Sequence, residues 1–259
     1  MSASEVVLLF CAAVLGGAVN SVAGGGGFIA FPALLFTGMP SINANATNTV
    51  ALWPGTVAST GAYRKSLNGG LLRSIAPLII ITFLGSTLGS FLLLHTRVST
   101  FDKMVPWLLL GATALFTFGG KITRWITHHH IQGGPSVWRI IGVTLIQACV
   151  AVYIGYFGAG VGIVMLALLA IMGMENIHSM NGLKTLLATC GNAVAVVIFI
   201  FAHAVRWPQA LLMVVGAALG GYAGAWYAQK LDPKKVRYIV IAIGYSMTTY
   251  FFWRTYLRG

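Results

Sequence analysis

Long stretches of this sequence contain no charged residue. The first extends from Val6 to Tyr63 without an Asp, Glu, Lys or Arg. Six shorter charge-free runs follow, at 74–96, 104–120, 140–174, 185–205, 207–229 and 238–253. About 20 apolar residues are needed to cross a bilayer as a helix, so these runs can hold about eight crossings. The chain is therefore expected to fold inside a membrane.

Composition supports this expectation and excludes two other classes of protein. Only 8% of the residues are charged, whereas soluble domains carry about 25%. The net charge of +12 could suggest a nucleic-acid partner, but the cations fall between the apolar runs, as membrane-protein loops require. The runs are also continuously apolar, without the alternation typical of barrel strands. We predict an all-α membrane protein that binds no nucleic acid.

The predicted spans can be placed from the charge-free runs. They cover 4–23, 44–63, 74–95, 103–122, 138–157, 180–203, 207–229 and 235–254. If all eight are simple crossings, the face with both termini carries nine Lys and Arg and the opposite face six. Cytoplasmic loops are usually the richer in these residues, which favours cytoplasmic termini.

The sequence resembles itself when it is shifted by 135 residues. The shift aligns glycines 25, 27 and 38 with glycines 160, 162 and 173, and Met39 with Met174, without a gap. Such internal similarity is typical of transporters built from repeats. We predict two homologous four-helix repeats at 1–123 and 138–259, joined by a connecting loop at 124–137.

Clustered glycines interrupt both repeats at the same place. Gly24, Gly25, Gly26 and Gly27 form the first cluster, and Gly158, Gly160 and Gly162 form the second. Glycine is costly inside a helix, and each cluster is followed by an apolar stretch too short to cross the membrane. This pattern predicts Gly-broken or re-entrant segments, which are tolerated at depth only where they are buried in protein or line a wet cavity. Tight helix packing is the other common use of glycine in membranes.

Polar residues accompany the glycines and complete a candidate anion site. Backbone N–H groups at broken helix ends attract negative charge, and side-chain amides and hydroxyls can add hydrogen bonds. Lys184 lies about two turns inside a predicted span, where a cation is costly unless it is paired or reaches the interface. Besides the glycines, the predicted substrate-binding residues are Thr47, Asn48, Asn181, Lys184, Thr185 and Asn192.

Other chemistry is not indicated. No carboxylate lies deep in a predicted span, which disfavours a cation carrier, and no nucleophile–base pair or enzyme motif is present. His128, His129 and His130 lack the Cys or acidic neighbours of a metal site. We therefore expect no catalytic residue, no metal and no cofactor. Glu175 is the one candidate for proton coupling, and a loop position explains it better.

The paired motifs are similar to those of the sulfite exporter TauE/SafE family. The resemblance lies in 23–27, Pro-Ala-Leu-Leu at 32–35 and Asn-Ala-Thr-Asn at 45–48, and in the second copy from Gly155 to Asn192. It implies two four-helix halves and transport of small anions such as sulfite, sulfonates or related organosulfur compounds. By motif position it also implies that Asn20 belongs to the substrate site. The resemblance does not identify the cargo.

These observations favour a secondary transporter working by alternating access, with a small anion and the lipid bilayer as its partners. A multi-pass protein of a cell membrane, here a bacterial inner membrane, is expected. An anion channel with the same glycine backbone is the main alternative, and a membrane-embedded enzyme or scaffold fits less well. Coupling to protons or ions and the oligomeric state are left open by the sequence.

Overall fold

The computed structural model describes residues 1–23, 25–64, 67, 69–128, 137–174, 176–228 and 233–257. These residues form helices and short connections, with no strand among them. In chain order the helices are α1 (Ala3–Ala23), α2 (Gly27–Phe36), α3 (Ser41–Ala62), α4 (Gly69–His95), α5 (Val98–His128), α6 (Val137–Tyr156), α7 (Val161–Ile171), α8 (Ile177–Phe201), α9 (Trp207–Ala228) and α10 (Pro233–Phe252). A π-helical turn (Trp253–Leu257) follows α10. The all-α prediction is confirmed.

Each of the eight predicted spans coincides with one long helix. Segments of α1, α4, α5 and α8 are long and apolar enough to cross a membrane by length and composition: Ala3–Asn20, Ile75–His95, Val98–Gly119 and Ser179–Phe201. The protein is thus a multi-pass membrane protein. Helix α3 begins with a run of Ser, Asn and Thr residues, which lowers its hydropathy. Residues 124–128, which the sequence analysis placed in the connecting loop, are helical.

Both glycine clusters break the helix. The first break separates α1 from α2, and the second separates α6 from α7, where Gly158 (φ +75°) and Gly160 (φ +74°) adopt the left-handed conformation. Helix α2 folds back along α1. A methyl group on Gly16 would lie 3.5 Å from the Cβ of Ala30, and one on Gly26 would lie 2.8 Å from the Cβ of Asn20, so later residues of α2 contact earlier residues of α1. The short helices α2 and α7 have 10 and 11 residues, or about 15 Å at 1.5 Å per residue, half a bilayer core.

The two short helices are the centres of two hydrophobic clusters. In the first cluster, Phe28, Phe31 and Leu34 of α2 are almost completely buried. In the second, Met165, Leu168 and Leu169 of α7 are equally buried. The surrounding long helices therefore shield both interrupted segments from lipid, as non-helical backbone at membrane depth requires.

Two pairs of long helices make very close contact, and each pair runs in the same direction. In the α1–α9 pair, a methyl group on Gly216 would lie 3.0 Å from the carbonyl oxygen of Phe10, and one on Gly220 would clash with that of Val14. In the α4–α6 pair, side-chain hydrogen bonds link Thr82 to Gln147, Ser86 to Ala151 and Ser90 to Gly155. Small residues permit this backbone approach.

Helices α3 and α8 pack at the centre of the bundle and run in opposite directions. The indole N–H of Trp53 donates to the carbonyl oxygen of Thr189 over 3.1 Å, while the Cβ of Tyr63 lies 3.3 Å from the position of a methyl group on Gly182. Later residues of α3 thus contact earlier residues of α8, so the two helices are antiparallel.

Adjacent glycines of α9 should respond oppositely to alanine. At Gly220 a Cβ would collide with the backbone of Val14, whereas at Gly221 the nearest atom is the Gly17 carbonyl oxygen at 3.8 Å. Overpacking costs about 1–3 kcal/mol, and alanine gains up to about 1 kcal/mol over glycine inside a helix. We expect Gly220→Ala to lower the melting temperature of the purified protein and Gly221→Ala to preserve or raise it. Equal melting temperatures for both variants would contradict the α1–α9 interface.

Candidate functional site

A cavity of about 70 Å³ lies where the two helix breaks meet the middle of the bundle. It is enclosed by the end of α1, the start of α2, the central part of α3, the α6–α7 connection and α8. Its lining residues are Asn20, Gly27, Phe31, Asn45, Asn48, Thr49, Leu52, Trp53, Thr56, Phe157, Gly158, Ala159 and Asn192.

The structure brings together five of the residues predicted for the site. They come from both repeats: Asn20, Gly27, Asn48, Gly158 and Asn192. Helix α3 supplies the largest share, since six of its residues face the cavity, at positions 45, 48, 49, 52, 53 and 56. This spacing of three and four residues is one face of a helix. One face of α3 thus contributes more lining residues than any other element.

Two amide side chains on this face of α3 have unpaired polar atoms. Asn48 is 7% exposed and Asn45 is 1% exposed. The Oδ1 atom of each has no hydrogen-bond partner within the described part of the chain. An unpaired buried polar group costs about 1–3 kcal/mol, and such groups are rare in native proteins. These two atoms are therefore available to accept a hydrogen bond from a ligand or from a water molecule in the cavity.

Asn45 and Asn48 differ in their freedom to rotate. The Nδ2 group of Asn45 donates to the carbonyl oxygen of Tyr156 over 3.0 Å. Because a carbonyl oxygen only accepts hydrogen bonds, the nitrogen must face it and Oδ1 must point away. Asn48 has no such constraint, and its Nδ2 lies 3.6 Å from the position of a methyl group on Gly27. Rotation of its amide can therefore offer either a donor or an acceptor.

Two aromatic side chains from other elements form an apolar part of the cavity wall. Phe31 of α2 and Phe157 after α6 meet edge to face, with ring centroids 5.4 Å apart. No site role was predicted for Trp53 from the sequence. The structure places it in the middle of α3, where its indole N–H bonds to α8. Neither Asn45 nor Trp53 was among the predicted site residues.

Several predicted glycines serve helix packing near the cavity without lining it. Gly25 lies against Phe116 and Val240, Gly26 against Gly16, and Gly160 against Ala112. A side chain at any of these three positions would meet a neighbour within 3.1 Å. Gly24 lies outside the described residues.

A second polar group surrounds Lys184 and does not line the cavity. Its Nζ donates to Oδ1 of Asn181 over 3.0 Å, and Thr185 donates to the Asn181 carbonyl oxygen over 3.0 Å. The Cδ of Lys184 lies 3.2 Å from the position of a methyl group on Gly162. Gly162 is the counterpart of Gly27 under the 135-residue shift. Lys184 lies next to Gly162, as Asn48 lies next to Gly27.

Hydrogen bonds between the starts of α3 and α9 lie beside the site. Asn43 donates to the carbonyl oxygen of Ala204 over 2.8 Å. Thr47 accepts from the backbone N–H of Arg206 over 3.1 Å. The predicted site residue Thr47 therefore contacts another helix start and is absent from the cavity lining.

None of the described residues that line the cavity is ionisable. No group of three or more His, Cys, Asp or Glu that could hold a metal occurs among the described residues. Glu175, His129 and His130, which the sequence analysis considered for coupling or metal binding, lie outside the described residues. What the cavity offers is neutral hydrogen-bonding groups and a partly apolar wall.

Comparison with known proteins points to one family over nearly the whole chain. The sulfite exporter TauE/SafE family matches residues 9–251. A "Probable membrane transporter protein" of Haemophilus influenzae is 28% identical over 246 residues, covering 94% of this chain and 92% of the relative. "Probable membrane transporter protein ORF9" of a Sinorhizobium species is 29% identical over 243 residues, covering 93% and 90%. "Probable membrane transporter protein YfcA" of Escherichia coli is 28% identical over 246 residues, covering 93% and 87%. No solved structure matches the chain.

Proposed function

This chain belongs to the sulfite exporter TauE/SafE family, and from that premise we propose that it is a secondary transporter of a small anion. The observation that carries the proposal is the cavity at the two helix breaks, where Asn45 and Asn48 leave buried polar atoms unpaired. Asn20 and Asn192 add two further amides to the lining. Amide N–H groups can bind the oxygens of sulfite, a sulfonate or a carboxylate in charge-assisted hydrogen bonds.

We further propose that the bundle consists of two inverted repeats. Adding 135 to the bounds of α2 (27–36) gives 162–171, close to α7 at 161–171, and adding it to the start of α5 gives 233, the start of α10. Helices α1 and α9 run in parallel, as do α4 and α6, whereas α3 and α8 are antiparallel. The shift pairs α1 with α6, α3 with α8 and α4 with α9. The two members of each pair then point in opposite directions, an arrangement known in transporters with a site at the repeat interface.

Alternating access would move units that mix the two repeats. The α1–α9 and α4–α6 interfaces each join a helix of the first repeat to one of the second, through backbone contacts too close for side chains. The hypothesis that one sequence half moves against the other would require both interfaces to slide. Both close interfaces stay intact if each pair moves as a rigid unit and only the contacts of α3 and α8 between the pairs change.

In this proposal Lys184 attracts anions toward the cavity without binding them inside it. Its ammonium is held by Asn181 on its own helix. Lys184→Ala should raise the KM for transport about ten-fold through lost electrostatic steering, with maximal flux little changed, and Lys184→Arg should stay close to the parent. Initial rates in reconstituted vesicles over a range of substrate concentrations would measure this. If both variants lost maximal flux and kept the parental KM, Lys184 would have another role.

The transport function itself can be tested by counterflow in the same vesicles. Vesicles preloaded with unlabelled sulfite, a short sulfonate or a short carboxylate should accumulate the labelled anion, with rates that saturate. Vesicles without protein are the control. A steady anion current that does not saturate would favour a channel over a transporter, and absence of any flux with all three anions would refute the proposal.

A further inference from the structure

We propose that the cavity selects a small monoanion that also carries a hydroxyl group, which donates a hydrogen bond to Oδ1 of Asn45. The inference rests on the proposed function and specifies the substrate class for the same site. Three features of the cavity lead to it: a fixed acceptor atom, the absence of ionisable residues from the described lining, and an apolar wall.

The fixed acceptor is the first feature. The bond from Nδ2 of Asn45 to the Tyr156 carbonyl oxygen prevents the amide from turning over. Asn45 lines the cavity and is 1% exposed, and its Oδ1 is left as an acceptor without a partner in the described part of the chain. An anion whose oxygens are all deprotonated has no hydrogen to give this atom and would repel it. A ligand with a hydroxyl satisfies it.

The neutral lining limits the charge of the ligand. Asn20, Asn48 and Asn192 can supply amide donors, but no described residue of the lining carries a positive charge. The cost of removing an ion from water rises with the square of its charge, so a dianion costs about four times as much as a monoanion of the same size. Neutral donors can offset the smaller cost more readily than the larger one. The site should therefore discriminate against dianions.

The third feature is the wall formed by Phe31 and Phe157. These side chains offer no hydrogen bond, so the part of the ligand facing them should be hydrocarbon. The cavity volume of about 70 Å³ suits short molecules. Hydroxymethanesulfonate and glycolate combine a single charge, a hydroxyl group and one methylene, and they are suitable probes.

Binding to the purified protein tests the inference. Hydroxymethanesulfonate, methanesulfonate and sulfate would be titrated by calorimetry at equal ionic strength, in a buffer whose only other anion is too large for the cavity. We expect hydroxymethanesulfonate to bind at least ten-fold more tightly than methanesulfonate, because the latter leaves the acceptor unpaired, and sulfate to bind more weakly still. Glycolate against acetate repeats the hydroxyl comparison with a carboxylate.

Variants identify the atom responsible. Asn45→Leu removes the acceptor, and we expect the preference for hydroxymethanesulfonate over methanesulfonate to fall to about one while methanesulfonate still binds. Asn192→Lys should strengthen sulfate binding relative to the monoanions, and Asn192→Met, similar in length but uncharged, should not. The Asn192 pair keeps charge selection testable if Asn45→Leu fails to fold.

The possible failures are distinguishable. Equal binding of hydroxymethanesulfonate and methanesulfonate, or tighter binding of sulfate than of both, would overturn the substrate class and leave anion transport standing. If none of the five anions bound at millimolar concentration, both the substrate class and the proposed function would be overturned.

Discussion

Replacing Asn48 with leucine is expected to raise the melting temperature of the protein while it weakens anion binding at least ten-fold. Leucine has the same branched arrangement of heavy atoms as asparagine and a better helix propensity, its larger methyl groups can extend into the cavity, and Asn48 is buried inside α3. The substitution removes an unpaired polar atom whose burial costs about 1–3 kcal/mol. It also removes a hydrogen bond to a charged ligand, valued at about 1.5–3 kcal/mol, and 1.4 kcal/mol is ten-fold in affinity.

Asn43→Leu provides the matched control. It makes the same chemical change on the same helix, but Asn43 donates to the Ala204 carbonyl oxygen and does not line the cavity. We expect this variant to melt at a lower temperature and to bind the anion with an affinity close to the parent's. If Asn48 is a ligand-binding residue, thermal unfolding and calorimetric titration should show a higher melting temperature with weaker binding for Asn48→Leu, and a lower melting temperature with unchanged binding for Asn43→Leu. Destabilisation by Asn48→Leu with unchanged affinity would show that its role is structural.

The sequence predicted the parts of the fold that depend on local composition. Charge-free runs located all eight long helices, since the cost of a charge in lipid limits Lys, Arg, Asp and Glu to the helix ends. The glycine clusters located both breaks, because glycine both weakens a helix and permits the positive φ angles of Gly158 and Gly160. What local composition does not specify is direction. That α2 folds back along α1 depends on contacts such as Gly16 with Ala30.

The cavity was only partly predictable for the same reason. Asn48 was identified from its position after the first glycine cluster, and Asn45, Leu52 and Trp53 follow from it by helical spacing once the orientation of α3 is known. The sequence therefore contained the helical spacing of these residues, but not the direction in which that face of α3 points. Lys184 stood out as a cation inside a span, but which way its ammonium points depends on Asn181 one turn earlier. Periodicity carries no information on that contact.

Both chain termini are expected on the outer face of the membrane, contrary to the count based on eight simple crossings. Because α2 returns to the face where α1 begins, α3 starts from the same face as the N-terminus. The adjoining ends of α3 and α4, of α4 and α5, and of α5 and α6 then lie on the faces opposite to those assumed in the simple count. Helix α7 likewise returns to the face where α6 begins, so the ends of α8, α9 and α10 lie on the faces that the simple count assumed. Among described residues, eight cations then fall on the face opposite the termini: Arg64, Arg73, Lys121, Arg124, Arg139, Lys234, Lys235 and Arg237. Four fall on the terminal face: Arg97, Lys103, Arg206 and Arg254. Lysine and arginine concentrate on the cytoplasmic side, so the inverted arrangement makes the termini external.

Single cysteines in intact bacterial cells test this orientation with an all-or-none result. After replacement of Cys11, Cys149 and Cys190, which form no disulfide, one cysteine would be introduced at Ser2, Thr96 or Leu67. A maleimide that cannot cross the membrane should label the cysteines at Ser2 and Thr96, because the N-terminus and the α4–α5 connection face outward. The cysteine at Leu67, in the α3–α4 connection, should react only after the membrane is permeabilised. If only Leu67→Cys were labelled in intact cells, the termini would be cytoplasmic. If Ser2→Cys were labelled and Thr96→Cys were not, α2 would not return to the face where α1 begins.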